Sequence, residues 1–255
     1  MSHATQQPGN LAGKGAVVTG GSRGIGRAIV QRLAADGATV VFNFARSTNQ
    51  AAEVEKVVRE AGGRAHAVQI DLATPGAVDE LMTCADQHLD GFDILVNNAT
   101  LNHAPTAIAD TSDEQYDALM AVNAKSTFLT MRHAARSMRD NGRIINISSL
   151  STTRHHAKGA LYAASKGAIE QLTKVAAIEL GGRGITVNAV CPAATDTELL
   201  RQNTSETDLE QLVKLTPLGR LGQPSDIADV VALLAGHDGR WITSQIIHAT
   251  GGLFC

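Results

Sequence analysis

The chain has 255 residues, 44% of them hydrophobic, which is enough for a sizeable core in one or two domains. Its formal net charge is -3, from 22 Lys and Arg against 25 Asp and Glu, so no basic excess points to nucleic acid and no polybasic run points to a membrane. A small molecule is therefore the expected partner. Residues 1–14 lack the apolar core of a secretory signal and no later run approaches the ~18 apolar residues of a membrane span, so the expected location is the cytoplasm.

Seven short β-branched runs alternate with helical patterns along the chain. Nearly apolar strands separated by helices are typical of a parallel sheet covered on both faces. No Pro/Gly/Ser linker divides the chain, so we predict one doubly wound α/β domain over residues 11–255, preceded by a flexible N-terminus of residues 1–10. The predicted strands are GAVVTG (15–20), TVVFNF (39–44), AHAVQIDL (65–72), DILVNNA (93–99), RIINISS (143–149), ITVNAVCP (185–192) and SQIIHATG (244–251).

The cysteines indicate neither a disulfide framework nor a metal site. Cys84, Cys191 and Cys255 are odd in number and none forms a C-x-x-C pair, so no zinc knuckle is predicted and no metal is expected. Cys191 lies in an apolar strand, where we expect it to be a small buried hydrophobe.

The first predicted strand ends in TGGSRGIG, residues 19–26, and a helix follows directly. Glycines let such a backbone turn sharply and approach a bound group, while the free N–H groups and the dipole of the helix start attract phosphate. The spacing differs from the G-x-G-x-x-G fingerprint, and a tight turn without a ligand is the alternative. The turn residues predicted to bind a cofactor are Gly20, Ser22, Arg23, Gly24, Ile25 and Gly26.

The charge after the second strand discriminates between two nicotinamide cofactors. An acidic residue about 20 positions beyond the turn would hold the adenosine ribose hydroxyls, whereas an arginine there suits a 2′-phosphate. Arg46 stands at this place, and no Asp or Glu occurs between Asp36 and Glu53. Arg46 and Arg23 are able to bond a phosphate in a forked geometry. NADP(H) is therefore predicted over NAD(H); the alternative is that Arg46 lies on a solvated helix start.

Four residues form a candidate catalytic set. Tyr162 precedes Lys166 by four positions, which on a helix places them on one face, and an ammonium favours the ionised form of a nearby phenol. Such a pair is equipped for general acid/base catalysis. Ser149 ends the fifth predicted strand, at the edge where open α/β sheets bind ligands. Asn123 lies in an apolar helical pattern and is expected to hold a backbone group or a water. Singly, each also fits a structural role.

Together these motifs resemble the short-chain dehydrogenase/reductase family, in particular its 3-oxoacyl-carrier-protein reductase-like branch. The resemblance implies a Rossmann-like domain with a seven-stranded parallel sheet in the order 3-2-1-4-5-6-7, helices on both faces, and a homotetramer or homodimer. It covers residues from about 11 to 255 and rests on TGGSRGIG, Asp71-Leu72, NNA at 97–99, Asn123, Ser149 thirteen positions before Tyr162, Lys166, and GRLGQPSDIADVVALLA at 219–235.

The resemblance also implies an NADPH-dependent reductase of ketones. Tyr162 would donate a proton to a carbonyl oxygen oriented by Ser149, while hydride arrives from the nicotinamide. Lys166 would hold the nicotinamide ribose and lower the pKa of Tyr162, and Asn123 would anchor a water that returns the proton. The other implied cofactor contacts are Asp71 and Leu72 at the adenine, Asn97 beside the adenosine ribose, Asn98, Ala99, and Pro192, Thr195 and Thr197 in the carboxamide loop.

Departures from the family pattern leave the substrate open. Where the family has the motif N-N-A-G, this chain has Thr100 in place of the glycine, and the resemblance places its branched side chain near the nicotinamide end. Where the family has P-G, this chain has Pro192-Ala193, and the alanine has less backbone freedom than glycine. In relatives the loop 151–159 borders the substrate, so His155 or His156 is able to contact an acidic or phenolic substrate; a solvated or interface histidine is the alternative. The substrate-side candidates are Thr100, His103, Ser151, His156 and Leu199.

Two kinds of ketone fit this sequence. A carrier-protein-linked 3-oxoacyl thioester favours a basic rim, for which Arg139 and Arg183 are candidates although the adjoining Asp140 weakens the patch. A free small or polycyclic polyketide-type ketone is the other. Residues 195–215 follow a strand and are interpreted as a lid, with an ordinary solvated helix and loop as the alternative.

Other functions also remain as hypotheses. One is an NAD-dependent alcohol dehydrogenase working in the oxidative direction. Another is a catalytically silent nucleotide-binding regulator, which needs the glycine turn but not the Tyr162 and Lys166 pair. Trp241, in a tail that resembles the last strand of the family, serves either a subunit contact or the core.

Overall fold

The structure, a computed structural model, describes residues 10–102 and 104–253; the segment before residue 10, His103 and Cys255 lie outside these ranges. The seven predicted strands are all present within them. Each is shorter than or equal to its predicted run, because the ends of the runs form the loops at the two edges of the sheet. The strands are β1 (Gly15–Val18), β2 (Thr39–Phe44), β3 (Arg64–Gln69), β4 (Ile94–Asn97), β5 (Arg143–Ile147), β6 (Thr186–Pro192) and β7 (Ile246–Ala249).

All seven strands pair in parallel in the order β3-β2-β1-β4-β5-β6-β7, as the resemblance implies. Val17 of β1 lies between Val41 of β2 and Leu95 of β4, so β1 is an interior strand of the sheet. The strand order reverses between β1 and β4, which opens a crevice at the carboxyl ends of the strands. That crevice is the place where the candidate residues should meet.

Helices cover both faces of the sheet. The helix that begins at Asp113 passes through one π turn, Ala121–Lys125, before it continues. The helices are α1 (Gly24–Ala35), α2 (Thr48–Glu60), α3 (Ala77–His88), α4 (Asp113–Met120), α5 (Ser126–Ser137), α6 (Ala160–Leu180), α7 (Glu198–Asn203), α8 (Glu206–Leu215) and α9 (Pro224–Ala235). None of the described helices is long and apolar enough to span a membrane.

Alternate residues of each strand feed two separate cores. Val18 and Phe42 pack against α1 and α9 on one face, and Val17 and Leu95 pack against α3 and α5 on the other. Each fully buried side chain of this size contributes about 1.5–3 kcal/mol. The sheet is therefore a rigid base, and the loops at its carboxyl edge start from fixed positions.

The amino-terminal edge of the sheet holds the basic residues that were predicted to form a substrate rim. The Asp93 carboxylate, just before β4, accepts a hydrogen bond from the Gly15 backbone at 3.0 Å and pairs with Arg139 at 3.6 Å. Arg183 donates to Asp140 at 2.8 Å. This edge is opposite the carboxyl ends of the strands, so the prediction of a basic rim from Arg139 and Arg183 is wrong.

The segment predicted to be a lid is helical rather than irregular. α7 and α8 occupy most of residues 195–215, and Thr197 caps α7 by accepting a hydrogen bond from the Leu200 backbone at 3.2 Å. Arg201 forms a forked pair with Asp196 at 2.5 and 2.7 Å.

Trp241 is 95% exposed, so the alternative that it belongs to the core is wrong.

Candidate active site

The glycine turn lies at the carboxyl end of β1 and adopts the geometry that its sequence predicts. Gly20 and Gly24 have φ values of 68° and 53°, in the left-handed region that favours glycine. A Cβ atom on Gly26 would lie 2.1 Å from the Gly20 carbonyl oxygen. Gly21, which the sequence analysis did not single out, packs so closely that a Cβ atom would lie 2.6 Å from Cβ of Phe42.

Two polar side chains that the sequence analysis missed hold this turn. The Thr19 hydroxyl accepts hydrogen bonds from the backbone N–H groups of Asn98 and Ala99, both at 2.9 Å. The Asn43 side chain accepts from the Gly20 backbone at 3.0 Å. In return the Asn98 side chain donates to the carbonyl oxygens of Thr19 and Gly20 at 2.9 and 3.0 Å. The loop after β4 is thereby locked to the loop after β1.

The start of α1 is free to receive an anion. Its N-cap residue, Arg23, makes no capping hydrogen bond, and no acidic residue occurs in the first turn. Arg23 and Arg46 are both exposed at this edge, and neither guanidinium forms an ion pair with a residue in the described ranges. Thr197 lies beside the turn, with Cγ2 3.3 Å from the place of a Cβ atom on Gly24. Backbone donors, guanidinium groups and the absence of side chains at the glycines fit a dinucleotide phosphate.

The other predicted cofactor residues lie at the same edge. Asp71 is exposed after β3 and accepts from the Ala73 backbone at 3.0 Å, while Leu72 is buried. The Asn97 side chain is buried and donates to Asn146 at 2.9 Å. Its neighbour Asn98 faces the glycine turn instead. Ser22, Ile25, Ala99, Pro192 and Thr195 lie in these same loops or at their strand ends.

The proposed acid/base pair lies on α6, against the carboxyl end of β5. The Lys166 ammonium is 5.7 Å from the centre of the Tyr162 ring and donates to the Ile147 carbonyl at 2.9 Å. Only 2% of Lys166 is exposed. The hydroxyls of Ser149 and Thr100 approach the Tyr162 hydroxyl closely enough to lower its pKa. The structure therefore brings together Tyr162, Lys166 and Ser149 as predicted, and adds Thr100 to them.

Burial shifts the pKa values of Tyr162 and Lys166 in opposite directions. It raises the pKa of Tyr162, and the nearby hydroxyls of Ser149 and Thr100 lower it only in part. Burial also lowers the pKa of Lys166 to about 8, with a smaller opposite effect of Cys191. Lys166 is not among the causes of this shift, so the lowering of the Tyr162 pKa by Lys166 stays a prediction. The phenol is protonated at neutral pH, which is the form that a proton donor needs.

Asn123 lies in the π turn, where it is fully buried. Its side chain accepts from the Leu101 backbone N–H at 2.7 Å and donates to the Leu101 carbonyl and the Ser165 hydroxyl, both at 3.1 Å. The prediction that it holds a backbone group is confirmed. π turns are frequent at functional sites, and this one fixes the loop beyond Thr100 against α6.

None of the described substrate-side candidates lines the small cavity beside Tyr162. The Ser151 hydroxyl lies 3.1 Å from that of Ser149, His156 is exposed and 3.0 Å from the Ala157 carbonyl, and Leu199 is 36% exposed on α7. His103 lies outside the described residues. The cavity, about 30 Å³, was not predicted from the sequence; it is lined by Asn102, Ala104, Thr106, Thr111, Gln115, Leu119, Lys158, Leu161 and Tyr162.

Comparison with known proteins agrees with this geometry. A family model described as Enoyl-(Acyl carrier protein) reductase matches residues 20–254. A solved short-chain dehydrogenase/reductase from Serratia marcescens is 41% identical, with a TM-score of 0.91 over 97% of this chain and 99% of that one. The chain belongs to the short-chain dehydrogenase/reductase family. It is accordingly an oxidoreductase.

Two further relatives of this short-chain dehydrogenase/reductase have more specific names. The angucycline C-6 ketoreductase LanV, solved with bound NADP, is 42% identical, with a TM-score of 0.90 over 97% of this chain and 98% of that one. The hydroxynaphthalene reductase-like protein Arp2 of Metarhizium majus is 36% identical over 99% of each chain. The NADP in the first agrees with the cofactor predicted here from Arg46.

Proposed function

We propose that this short-chain dehydrogenase/reductase is an NADPH-dependent ketoreductase in which Tyr162 donates the proton to the carbonyl oxygen. The observation that carries the proposal is the half-buried phenol of Tyr162, whose raised pKa keeps it protonated, on the same helix face as the buried Lys166. A structural role alone does not explain a buried ammonium beside a half-buried phenol, because burial of a charge is costly. A silent regulator would need neither group.

The glycine turn and its flanking arginines support NADPH as the cofactor. We assign the pyrophosphate to the backbone of residues 20–26 and the 2′-phosphate to Arg23 and Arg46, whose guanidinium groups are exposed at the same edge. Asp71, Asn98 and Ala99 would bind the adenosine half, with Lys166 at the nicotinamide ribose and Pro192, Thr195 and Thr197 at the carboxamide. When bound, NADPH supplies the hydride.

The residues of the chain handle the proton and the carbonyl oxygen. Ser149 holds the oxygen by a hydrogen bond, and the Tyr162 phenol transfers its proton to that oxygen as negative charge develops there. The raised pKa of Tyr162 keeps the phenol protonated until then. We assign to Lys166 the stabilisation of the resulting phenolate and to Asn123 the water that returns the proton.

A free aromatic or polycyclic ketone is the substrate class that we favour over a carrier-linked 3-oxoacyl thioester. The basic residues expected to dock a carrier protein, Arg139 and Arg183, lie at the opposite edge of the sheet and pair with Asp93 and Asp140. The relatives named above include a ketoreductase and a hydroxynaphthalene reductase-like protein.

We further propose a lid, a homotetramer and a cytoplasmic location. The lid comprises residues 195–215; Thr197 lies beside Gly24, and Glu198 accepts from Gln50 of α2 at 3.2 Å.

The subunit contact would be the exposed apolar face of α5 and α6, where Phe128 is 47% exposed. A groove of about 750 Å³ on that face is lined mostly by apolar side chains, which a second copy would cover. Light scattering of the purified protein measures the oligomer directly.

Reduction assays with defined products test the proposed function. Purified protein is supplied with NADPH or NADH and, in turn, a polycyclic ketone, a carrier-linked 3-oxoacyl thioester and an enone, and the product is identified. Formation of an alcohol from the ketone with NADPH is the expected result. A saturated product from the enone alone would indicate an enoyl reductase, and turnover only of an alcohol with NAD⁺ would indicate the oxidative dehydrogenase.

The cofactor preference has its own variant. Arg46→Ala should raise the KM for NADPH about 10- to 100-fold and leave that for NADH unchanged, because a charge-assisted hydrogen bond contributes roughly 1.5–3 kcal/mol. Arg59→Ala, which removes an exposed arginine near the far end of α2, is the matched control. An unchanged NADPH KM in Arg46→Ala, or a wild-type preference for NADH, would contradict the assignment.

A further inference from the structure

Three consecutive residues at the carboxyl end of β5 are tied to α6 by polar contacts, immediately before Ser149. Each contact joins a strand residue to a different turn of the helix that carries Tyr162. They are Asn146 Nδ2 to Thr173 Oγ1 at 2.9 Å, Lys166 Nζ to the Ile147 carbonyl at 2.9 Å, and Ser148 Oγ to Glu170 Oε1 at 2.7 Å. Of the three helix residues, the proposed reaction uses Lys166 alone, and Glu170 is the acidic one among the other two.

One oxygen of the Glu170 carboxylate accepts three hydrogen bonds from three parts of the chain. The donors are the hydroxyls of Ser148 and Thr152, each at 2.7 Å, and the thiol of Cys191 at 3.3 Å. Burial, together with the neighbouring Glu170, raises the pKa of Cys191 to about 12, so the thiol keeps its proton and donates. The carboxylate thus joins α6, the end of β6 and the loop after β5.

The two hydroxyl donors flank the residue that is proposed to orient the substrate. Ser148 directly precedes Ser149, and Thr152 follows it by three positions, with its hydroxyl oxygen also 2.9 Å from the Ser149 carbonyl oxygen. Glu170 lies two helical turns from Tyr162 on the same helix. The carboxylate therefore fixes the Ser149 loop to the element that carries the phenol.

We propose that Glu170 is a positioning residue, which sets the place of Ser149 relative to Tyr162 by holding Ser148 and Thr152. Hydrogen bonds to a charged acceptor are roughly twice as strong as neutral ones, so a carboxylate holds this loop more tightly than an amide or a hydroxyl would. A displacement of about 1 Å in such a geometry costs up to ~100-fold in rate. The effect of Glu170 on the rate, unlike its effect on the position of the loop, rests on the proposed function.

The test uses three variants of the full chain and two readouts. Glu170→Leu removes the acceptor, Glu170→Gln keeps an acceptor oxygen of the same shape, and Glu179→Leu changes an exposed carboxylate elsewhere on α6. Amide hydrogen exchange of the segment 148–154, measured with NADPH, reports the position of the loop without turnover. The kcat and the two KM values for ketone reduction report the consequence.

We expect Glu170→Leu to speed exchange of this segment by about 10-fold and to lower kcat by about 10- to 100-fold, with the NADPH KM within about twofold. Glu170→Gln should recover most of both losses, and Glu179→Leu should match the wild type. Unchanged exchange of the segment in Glu170→Leu overturns the inference, as does an unchanged kcat in an active enzyme.

A second variant removes the donors instead of the acceptor. If Glu170→Leu does not fold, the Ser148→Ala/Thr152→Val double variant is measured in the same way, and unchanged exchange and kcat in that variant overturn the inference. A wild type that reduces no ketone counts against the proposed function alone, because exchange still decides the role of Glu170.

Discussion

Replacing Lys166 by methionine should make the stability of the folded chain less dependent on pH. Lys166 is 2% exposed, and burial lowers its pKa from 10.5 to about 8. At ~1.36 kcal/mol for each pKa unit, the buried ammonium costs about 3 kcal/mol of folding free energy at neutral pH. Methionine has a similar length and no charge to desolvate. The wild type therefore retains this ammonium at a cost in stability, as expected of a functional group.

The sign follows from the direction of the pKa shift. Because the folded pKa of Lys166 is below the unfolded one, the unfolded chain binds the proton more tightly, and the cost is fully present below pH 8. It disappears as the pH rises through 10.5, the ordinary pKa of a solvated lysine side chain such as that of the unfolded protein. Between pH 7 and about pH 9.5 the wild type should gain roughly 2 kcal/mol relative to Lys166→Met.

Urea unfolding of both proteins at matched pH values, without added nucleotide, measures this difference. Lys174→Met, which changes an exposed lysine on the same helix, is the control and should show no such trend. The reasoning is refuted if the difference between wild type and Lys166→Met stays constant over this range, or if it changes in the opposite direction.

Two further predictions concern the fold around the site. Gly21→Ala should lower the free energy of unfolding by about 1–3 kcal/mol, because its Cβ atom would lie 2.6 Å from Cβ of Phe42. Gly167→Ala is the control, because a Cβ atom there meets nothing within 4 Å. A urea midpoint of Gly21→Ala equal to that of the wild type or of the control would contradict this packing. The pKa of His66 is lowered by burial and by His88, so stability should fall as the pH drops below 6.5. The His66→Asn variant should lose part of this acid sensitivity in thermal unfolding, and parallel pH curves would show that His66 does not cause it.

The strands were predictable because their signal is local. Each strand is a short apolar run between turn residues, and β2 has the bounds that its sequence predicts. The strand order came from a resemblance, since neighbours in the sheet such as β1 and β4 are far apart in sequence. For the same reason the sequence did not show that Arg139 lies beside Asp93 at the amino-terminal edge.

The sequence allowed the residues of the catalytic set to be predicted, but not their pKa values. The four-residue spacing of Tyr162 and Lys166 defines a shared helix face, whereas the pKa of each depends on burial by segments that only the fold brings together. The contacts of Glu170 join three such segments, and no spacing in the sequence indicates them. Asn97 and Asn98 are adjacent, and only the strand geometry shows which one faces the glycine turn.

The central claim is that Tyr162 supplies the proton for ketone reduction. Single-turnover reduction of a ketone by the NADPH-loaded Tyr162→Phe variant tests it most directly, with NADPH affinity measured in parallel by cofactor fluorescence. Removing a general acid typically costs about 10²- to 10⁴-fold in rate, so we predict such a loss with NADPH affinity within about threefold of the wild type. A rate of alcohol formation close to that of the wild type would contradict the assignment.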